Sequence, residues 1–200
     1  IMIASFNMSG QTLFLDSDSN STHRIYTRAG IEPATIITLG YEHLFKEALL
    51  SRDFIAYAEY STSMFKPGIE NMEVKVGGLI PIYQNRKFKI INNLNLSAGS
   101  VNTFNFKSKK YAIADEIALG FYWKKSYFTL ISEYERIVLT HIKHSLHYRE
   151  TYYEEAKDGW YKGAGGMFQF GIRSGFTIKD KFDINLEWKM PLTEKLNSYN

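Results

Sequence analysis

The feature of this sequence that most constrains its fold is an alternation of apolar and polar residues with period two, which continues from about Ala34 to Leu192. It is clearest in residues 181–192, where six apolar side chains take alternate positions: Phe182, Ile184, Leu186, Trp188, Met190 and Leu192. Successive side chains of a strand point to opposite faces of a sheet, so this spacing predicts strands with one apolar and one polar face.

The same alternation predicts nine strands, and their connections are of two kinds. The strands cover 22–31, 34–45, 53–65, 71–83, 88–101, 111–123, 127–143, 163–178 and 181–192. Most are far longer than the roughly 5–6 residues typical of strands, and they exceed the roughly 9–11 residues with which a tilted strand crosses a membrane. Tight turns at 84–87, 124–127 and 178–181 contrast with longer polar and aromatic segments at 62–71, 100–110 and 143–163. This pattern favours an all-β, antiparallel, up-and-down transmembrane β-barrel of 8–10 strands.

Composition excludes several other classes. Charged residues make up 22% and hydrophobic residues 44% of the chain, which is too apolar for a disordered protein. Lysine and arginine number 24 against 21 acidic residues and are spread along the chain, so no nucleic-acid partner is predicted. There is no cysteine, which removes disulfides and thiolate sites, and no apolar run approaches the roughly 18 residues of a spanning helix.

The chain divides into three parts. Residues 1–10 (IMIASFNMSG) read as the remnant of a signal peptide, with a buried N-terminal strand as the alternative. Residues 11–21 form a polar linker, and residues 22–200 form the β-barrel domain.

We expect the apolar face of each strand to meet lipid and the polar face to line the lumen. The predicted lumen-facing residues are Glu42, Glu59, Glu73, Lys75, Lys89, Glu116, Glu133, Glu135, Arg173, Asp183, Glu187 and Lys189. These are eight acids and four bases, a net charge of −4. In so narrow a barrel they predict a salt-bridged interior, with Arg173 diagonal to Glu187, or else a narrow cation-preferring pore.

Two charges fall on the apolar face, Asp115 and Arg136. If Trp123 faces Phe128 across the intervening turn, paired residue numbers add to 251, which places Asp115 directly opposite Arg136. The sequence therefore predicts an outward ion pair.

The segment around 140–162 is the richest in chemically active side chains. His144, Ser145 and Glu150 are weak catalytic candidates, since a serine hydrolase needs a nucleophile, a base and an acid in contact. Neighbouring residues of a strand point to opposite sides, so His144 and Ser145 do not meet on a strand. His141, His144 and His147 would share a face only on a helix, and we predict no metal site and no cofactor.

With its amphipathic strands and the glycine-studded segments GGLIPIY (77–83) and GAGGMFQFG (163–171), the sequence resembles the small outer-membrane β-barrel proteins of Gram-negative bacteria. The resemblance implies a location in the cell outer membrane, a porin-like architecture, and contact with membrane lipid and lipopolysaccharide. It also implies an even number of strands, so that nine visible strands predict an intact barrel of ten whose last strand is missing, with eight as the alternative.

Three functions follow. The first is a non-enzymatic structural or accessory protein of the outer membrane, or a narrow channel. The second is an outer-membrane hydrolase that acts on lipid or peptide through residues 141–150. The third is a soluble secreted barrel that binds an apolar ligand. The sequence identifies no protein partner.

Overall fold

The computed structural model describes residues 22–32, 34–49, 52–64, 71–123, 126–151, 155, 157–163, 165–178 and 182–193. These residues form ten strands and one short helix. The elements are β1 (His23–Glu32), β2 (Ala34–Leu49), β3 (Arg52–Ser63), β4 (Met72–Gln84), β5 (Phe88–Asn102), β6 (Phe106–Trp123), β7 (Ser126–His144), α1 (Leu146–Thr151), β8 (Gly159–Lys162), β9 (Gly166–Ile178) and β10 (Phe182–Thr193). The predicted signal remnant at 1–10 and linker at 11–21 lie outside the described residues.

The strands form one antiparallel sheet in the order β1-β2-β3-β4-β5-β6-β7-β9-β10, with β8 paired to the far end of β7. The nine strands of this path correspond to the nine predicted strands, which confirms the all-β antiparallel assignment. The closed barrel is not seen, because the described parts of β1 and β10 are not paired with each other. Helix α1 and strand β8 were not predicted; each is too short to show a period.

One rim of the sheet, the short-turn rim, has tight connections. Leu49 pairs with Arg52, Trp123 with Ser126 and Ile178 with Phe182, while 85–87 joins β4 to β5. The opposite rim, the loop rim, holds the segment between β7 and β9 with α1 and β8.

The predicted long loop at 100–110 is wrong, because β5 and β6 extend to Asn102 and Phe106 and leave only 103–105 between them. The Thr103 hydroxyl donates to the carbonyl of Phe106 at 2.9 Å and accepts from the Phe106 backbone N–H at 3.1 Å. These bonds close a tight turn, and the polar run that follows it pairs with β5 and β7 as ordinary strand. The difference between the two rims is therefore smaller than predicted.

The two faces of the sheet differ sharply in burial. We call the face with Glu116 and Lys89 the inner face and the face with Ile117 and Leu186 the outer face. Glu116 is buried and Lys89 is 0% exposed, whereas Leu186 is 49% and Val76 46% exposed. The sheet thus buries its ionic face and exposes its apolar face, the reverse of a water-soluble sheet.

Apolar and aromatic side chains of the inner face gather toward the short-turn rim. The cluster consists of Ile55, Tyr57, Leu79, Ile91, Ala118, Tyr122 and Tyr127, with Leu44 packed against it. The Tyr57 ring lies over Gly77, where a Cβ atom would approach the tyrosine hydroxyl to 2.6 Å, so a side chain there would displace the ring. The Lys89 ammonium lies 4.9 Å from the centre of the Tyr122 ring. This packing fills the inner side of the sheet beside the short turns.

Candidate functional site

An ionic network crosses the middle of the inner face. Lys189 in β10 contacts Glu133 at 2.5 Å, Glu116 at 2.9 Å and Glu187 at 3.2 Å. Arg173 in β9 contacts Glu187 at 2.5 Å and Glu116 at 3.5 Å. Two cations are thus shared among three carboxylates, an arrangement typical of a buried network rather than of independent surface pairs.

The network also shows that the sheet is curved. Lys189 and Glu116 belong to β10 and β6, which are separated by β9 and β7. Three strand spacings of about 4.8 Å separate such residues on a flat sheet. Contact at 2.9 Å between their side chains requires the inner face to be concave. The concave side therefore holds the charges, and the convex side is the apolar outer face.

Further polar contacts continue on the inner face. The Tyr26 hydroxyl donates to Glu59 at 2.5 Å, and the Tyr57 hydroxyl donates to Asn93 at 2.9 Å. Lys75 lies directly opposite Glu59 in the β3–β4 register. The Glu59 carboxylate thus has a tyrosine hydroxyl as its donor and an ammonium-bearing residue opposite it.

Two cations of the inner face were not predicted from the sequence. Arg24 contacts Glu42 at 3.0 Å, and Lys110 contacts Glu135 at 2.7 Å. Lys110 lies in the segment that was predicted as a loop. It is nevertheless in phase with the buried residues of the same strand, since alternate positions of β6 share a face: Ala112, Ala114 and Glu116. With Arg24 and Lys110 added to the eight acids and four bases predicted, the count becomes eight against six, a net charge of −2.

The predicted lumen-facing residues lie on the strands as follows. Glu42, Glu59, Lys89, Glu116, Glu133 and Arg173 are buried, and Glu73, Lys75, Glu135, Glu187 and Lys189 are partly buried. Asp183 lies in β10 opposite Thr177. Arg173 pairs with Glu187 as predicted, but directly opposite it rather than on the diagonal.

The predicted register of β6 with β7 is wrong by two residues. Trp123 pairs with Ser126, so paired numbers add to 249 from there to Ala112, where a bulge intervenes. Asp115 therefore lies opposite Tyr134, and Arg136 lies opposite Ile113. Asp115 instead accepts a hydrogen bond at 2.5 Å from the Asn92 amide of β5. The predicted register needs four residues between the paired positions, whereas two residues separate Trp123 from Ser126.

Ser145 of the catalytic candidates has a structural role. It stands just before α1, and its hydroxyl accepts the backbone N–H of Tyr148 at 3.1 Å, which is the contact of a helix N-cap. His144 turns to Asp158, with Nδ1 and Oδ1 at 3.1 Å, and its ring stacks on Tyr148. Glu150 is exposed in α1. The structure thus gives His144 and Ser145 separate partners.

Asp158 fixes the base of this loop. It accepts the backbone N–H of His144 at 2.8 Å and also binds the Arg149 guanidinium. These hydrogen bonds hold the pKa of the Asp158 carboxyl well below its usual range. At neutral pH the carboxylate is therefore charged and ties β7, α1 and the start of β8 together.

The three histidines of the loop do not converge. The His141 ring lies 4.8 Å from that of Trp160, and the His147 ring 5.0 Å from that of Phe104, while His144 contacts Tyr148. Within the described part of the chain, no group of three or more histidine or acidic side chains is placed to hold a metal ion. The helix found there, α1, has six residues, and no described helix has the length and apolarity to cross a membrane.

Comparisons with protein-family models, with curated proteins and with solved structures gave no match.

Proposed function

We propose that this chain is a non-enzymatic β-barrel protein of the Gram-negative outer membrane, with a structural or accessory role and an interior closed by ion pairs. The observation that supports this most is the pairing of an exposed apolar outer face with a buried ionic inner face. In water, such an arrangement exposes hydrocarbon on one side and desolvates charge on the other, and both are costly.

The exposed apolar face extends over the whole sheet path. Each strand of the path contributes at least one exposed large apolar residue: Ile25, Leu39, Tyr60, Val76, Leu96, Ile117, Leu130, Ile172 and Leu186. A water-soluble monomer rarely exposes a continuous apolar patch of more than a few hundred Å². Hydrocarbon is the solvent in which this face has no cost.

Strand length supports the same proposal. The strands of the path have 10 to 19 residues, and roughly 9–11 tilted residues cross a bilayer. Unpaired backbone groups cost several kcal/mol each in hydrocarbon. The proposal therefore requires that the edges of β1 and β10 be paired in the inserted protein.

The charges of the inner face argue against the alternatives. A ligand-binding soluble barrel would bring an apolar molecule against Glu116, Glu133, Arg173 and Lys189, which would be unfavourable. A narrow pore needs a free path, but Lys189 spans from β10 to β6 and Tyr57, Tyr122 and Tyr127 fill the space beside the short turns. A hydrolase needs a serine that is free to attack, and the Ser145 hydroxyl caps α1.

The test is expression of the chain behind a secretion signal, followed by separation of membranes and gel electrophoresis with and without boiling. We expect recovery in the outer-membrane fraction, release by detergent but not by high salt, and faster migration of the unboiled protein. Recovery in the soluble periplasmic fraction would overturn the proposal. Planar-bilayer recordings on the same preparation should show no conductance, and steady cation-selective steps would favour the channel instead.

A further inference from the structure

Two histidines from neighbouring strands meet on the outer face of the sheet. His23 is the first residue of β1, and it lies directly opposite His43 in the β1–β2 register. Ile25 and Tyr41 are exposed outer-face residues at alternate positions of the same strands, so the two histidines lie on that face as well. His23 is exposed and His43 is half-buried, and the pair lies at the end of β1 on the side of the short-turn rim.

The hydrogen-bond pattern of the two strands brings these side chains close together. The backbone N–H of Leu44 donates to the carbonyl of Thr22 at 2.8 Å, which makes this the hydrogen-bonded kind of residue pair. The two kinds of pair alternate along an antiparallel ladder. His23 and His43 therefore form a non-hydrogen-bonded pair, in which the Cα atoms are roughly 4.5 Å apart and the side chains lie closest.

The nitrogens of the two imidazole rings are separated by a distance that suits shared ligation of one ion. The Nδ1 atoms of His23 and His43 are 3.1 Å apart, and the ring centres are 4.4 Å apart. In a tetrahedral zinc site with Zn–N distances of roughly 2.0–2.1 Å, two ligand atoms are roughly 3.3 Å apart. The observed separation differs from this value by only about 0.2 Å.

Aromatic neighbours orient both rings and add an oxygen donor. The Tyr41 hydroxyl lies 2.6 Å from Nδ1 of His23. The His43 ring packs edge-on against the Phe45 ring, with centroids 4.2 Å apart. On its other side, His43 lies opposite Ala56 of β3, which projects only a methyl group beside the imidazole. Two nitrogens and one oxygen are thus gathered at one point, and water can fill the further coordination positions of a metal ion.

We propose that His23 and His43 bind a divalent transition-metal ion through their Nδ1 atoms. Imidazole nitrogen is a ligand suited to Zn²⁺, Cu²⁺ and Ni²⁺. Each ring ligates as the neutral tautomer with its proton on Nε2, so a proton held between the two Nδ1 atoms is released to solvent on binding. The sequence-based prediction of no metal site did not include this pair, since its members are 20 positions apart and meet only through the strand register.

The test is titration of the purified full chain with Zn²⁺ at neutral pH, measured by isothermal titration calorimetry. We expect the affinity to fall at least about 100-fold in His23→Asn and in His43→Asn, since each variant loses the gain that two linked ligands provide. The matched control is the double variant His141→Asn with His147→Asn. Those two rings contact other aromatic residues rather than each other, so the control should bind zinc as the parent does.

A second measurement uses the parent protein alone. Zn²⁺ should protect His23 and His43 from acylation by diethyl pyrocarbonate, located by peptide mass spectrometry, while His141 and His147 react as before. Circular dichroism shows whether each variant keeps its strands. Unchanged zinc affinity in both single variants, or equal labelling of His23 and His43 with and without zinc, would overturn the site. Neither result bears on the outer-membrane proposal, which fractionation tests separately.

Discussion

Single residues decide whether the inner face is stable, because its charges have little access to water. The Glu116 side chain is 6% exposed and the Lys189 side chain 20% exposed, and Lys189 contacts three carboxylates. Buried ion pairs contribute modestly compared with an apolar core, yet removal of one partner leaves an uncompensated charge. Lys189 is therefore the residue whose loss should be felt most.

We predict that Lys189→Met destabilises the folded protein by about 3 kcal/mol, because Glu116 and Glu187 keep their contacts with Arg173 whereas Glu133 loses the ammonium that binds it. Urea unfolding in phosphatidylcholine vesicles, followed by gel migration, measures this free energy. Adding Glu133→Gln to Lys189→Met should recover part of the loss, since it removes the carboxylate that loses its contact with the ammonium. Lys162→Met, at an exposed lysine of β8, is the matched control and should be neutral. An unchanged midpoint for Lys189→Met would contradict the network.

At the scale of elements, the sequence contained the strands but not their registers. Alternation identified each strand of the path because side chains of the inner face are buried and those of the outer face are exposed, as Glu187 and Leu186 show. The β6–β7 register failed because a turn of two residues and one of four place the same side chains on the same faces, and alternation cannot distinguish them. The face of Asp115 was therefore predicted correctly while its partner was not.

For the candidate site too, the sequence predicted which face each residue occupies but not which residues are in contact. The alternation of side chains along each strand predicted one shared face for four residues, Glu116, Glu133, Arg173 and Lys189. Contacts between strands that are not adjacent, such as Lys189 with Glu116, depend on the curvature of the sheet, which a local sequence pattern does not contain. The N-cap role of Ser145 depends on α1, a helix of six residues without a detectable period. The pairing of β7 with β8 was likewise not predicted, because β8 is shorter still, with four residues.

We predict that cysteines at positions 115 and 134 form a disulfide in the folded protein, because Asp115 and Tyr134 are directly opposite. Cysteines at 115 and 136 lie on a diagonal, where the Cα separation exceeds the roughly 7 Å that a disulfide tolerates. The chain has no natural cysteine, so oxidation followed by gel electrophoresis reports only the introduced pairs. Faster crosslinking of the 115 and 136 pair would restore the register predicted from sequence.

For the whole molecule, the question is which solvent surrounds the outer face. Ile117 lies midway along the outer-face run of β6 that is bounded by Tyr111 and Trp123, and it is 43% exposed. Val138 is 52% exposed and lies in β7 near the loop rim. In water, arginine at either position would change stability little, since both side chains already face solvent. In a bilayer, the cost of arginine depends on depth.

We therefore predict that Ile117→Arg destabilises the protein in phosphatidylcholine vesicles by about 2–4 kcal/mol, whereas Val138→Arg costs about 0–1 kcal/mol, because an arginine near the interface reaches water and one at the midplane does not. Denaturant unfolding monitored by tryptophan fluorescence measures both. Equal and small effects would mean that water covers the outer face along its whole length, and the exposed band from Ile25 to Leu186 would then need a protein partner rather than lipid. A cost for Ile117→Arg that exceeds the cost for Val138→Arg is the result expected of a bilayer, because there the penalty for arginine falls from the midplane toward the interfaces.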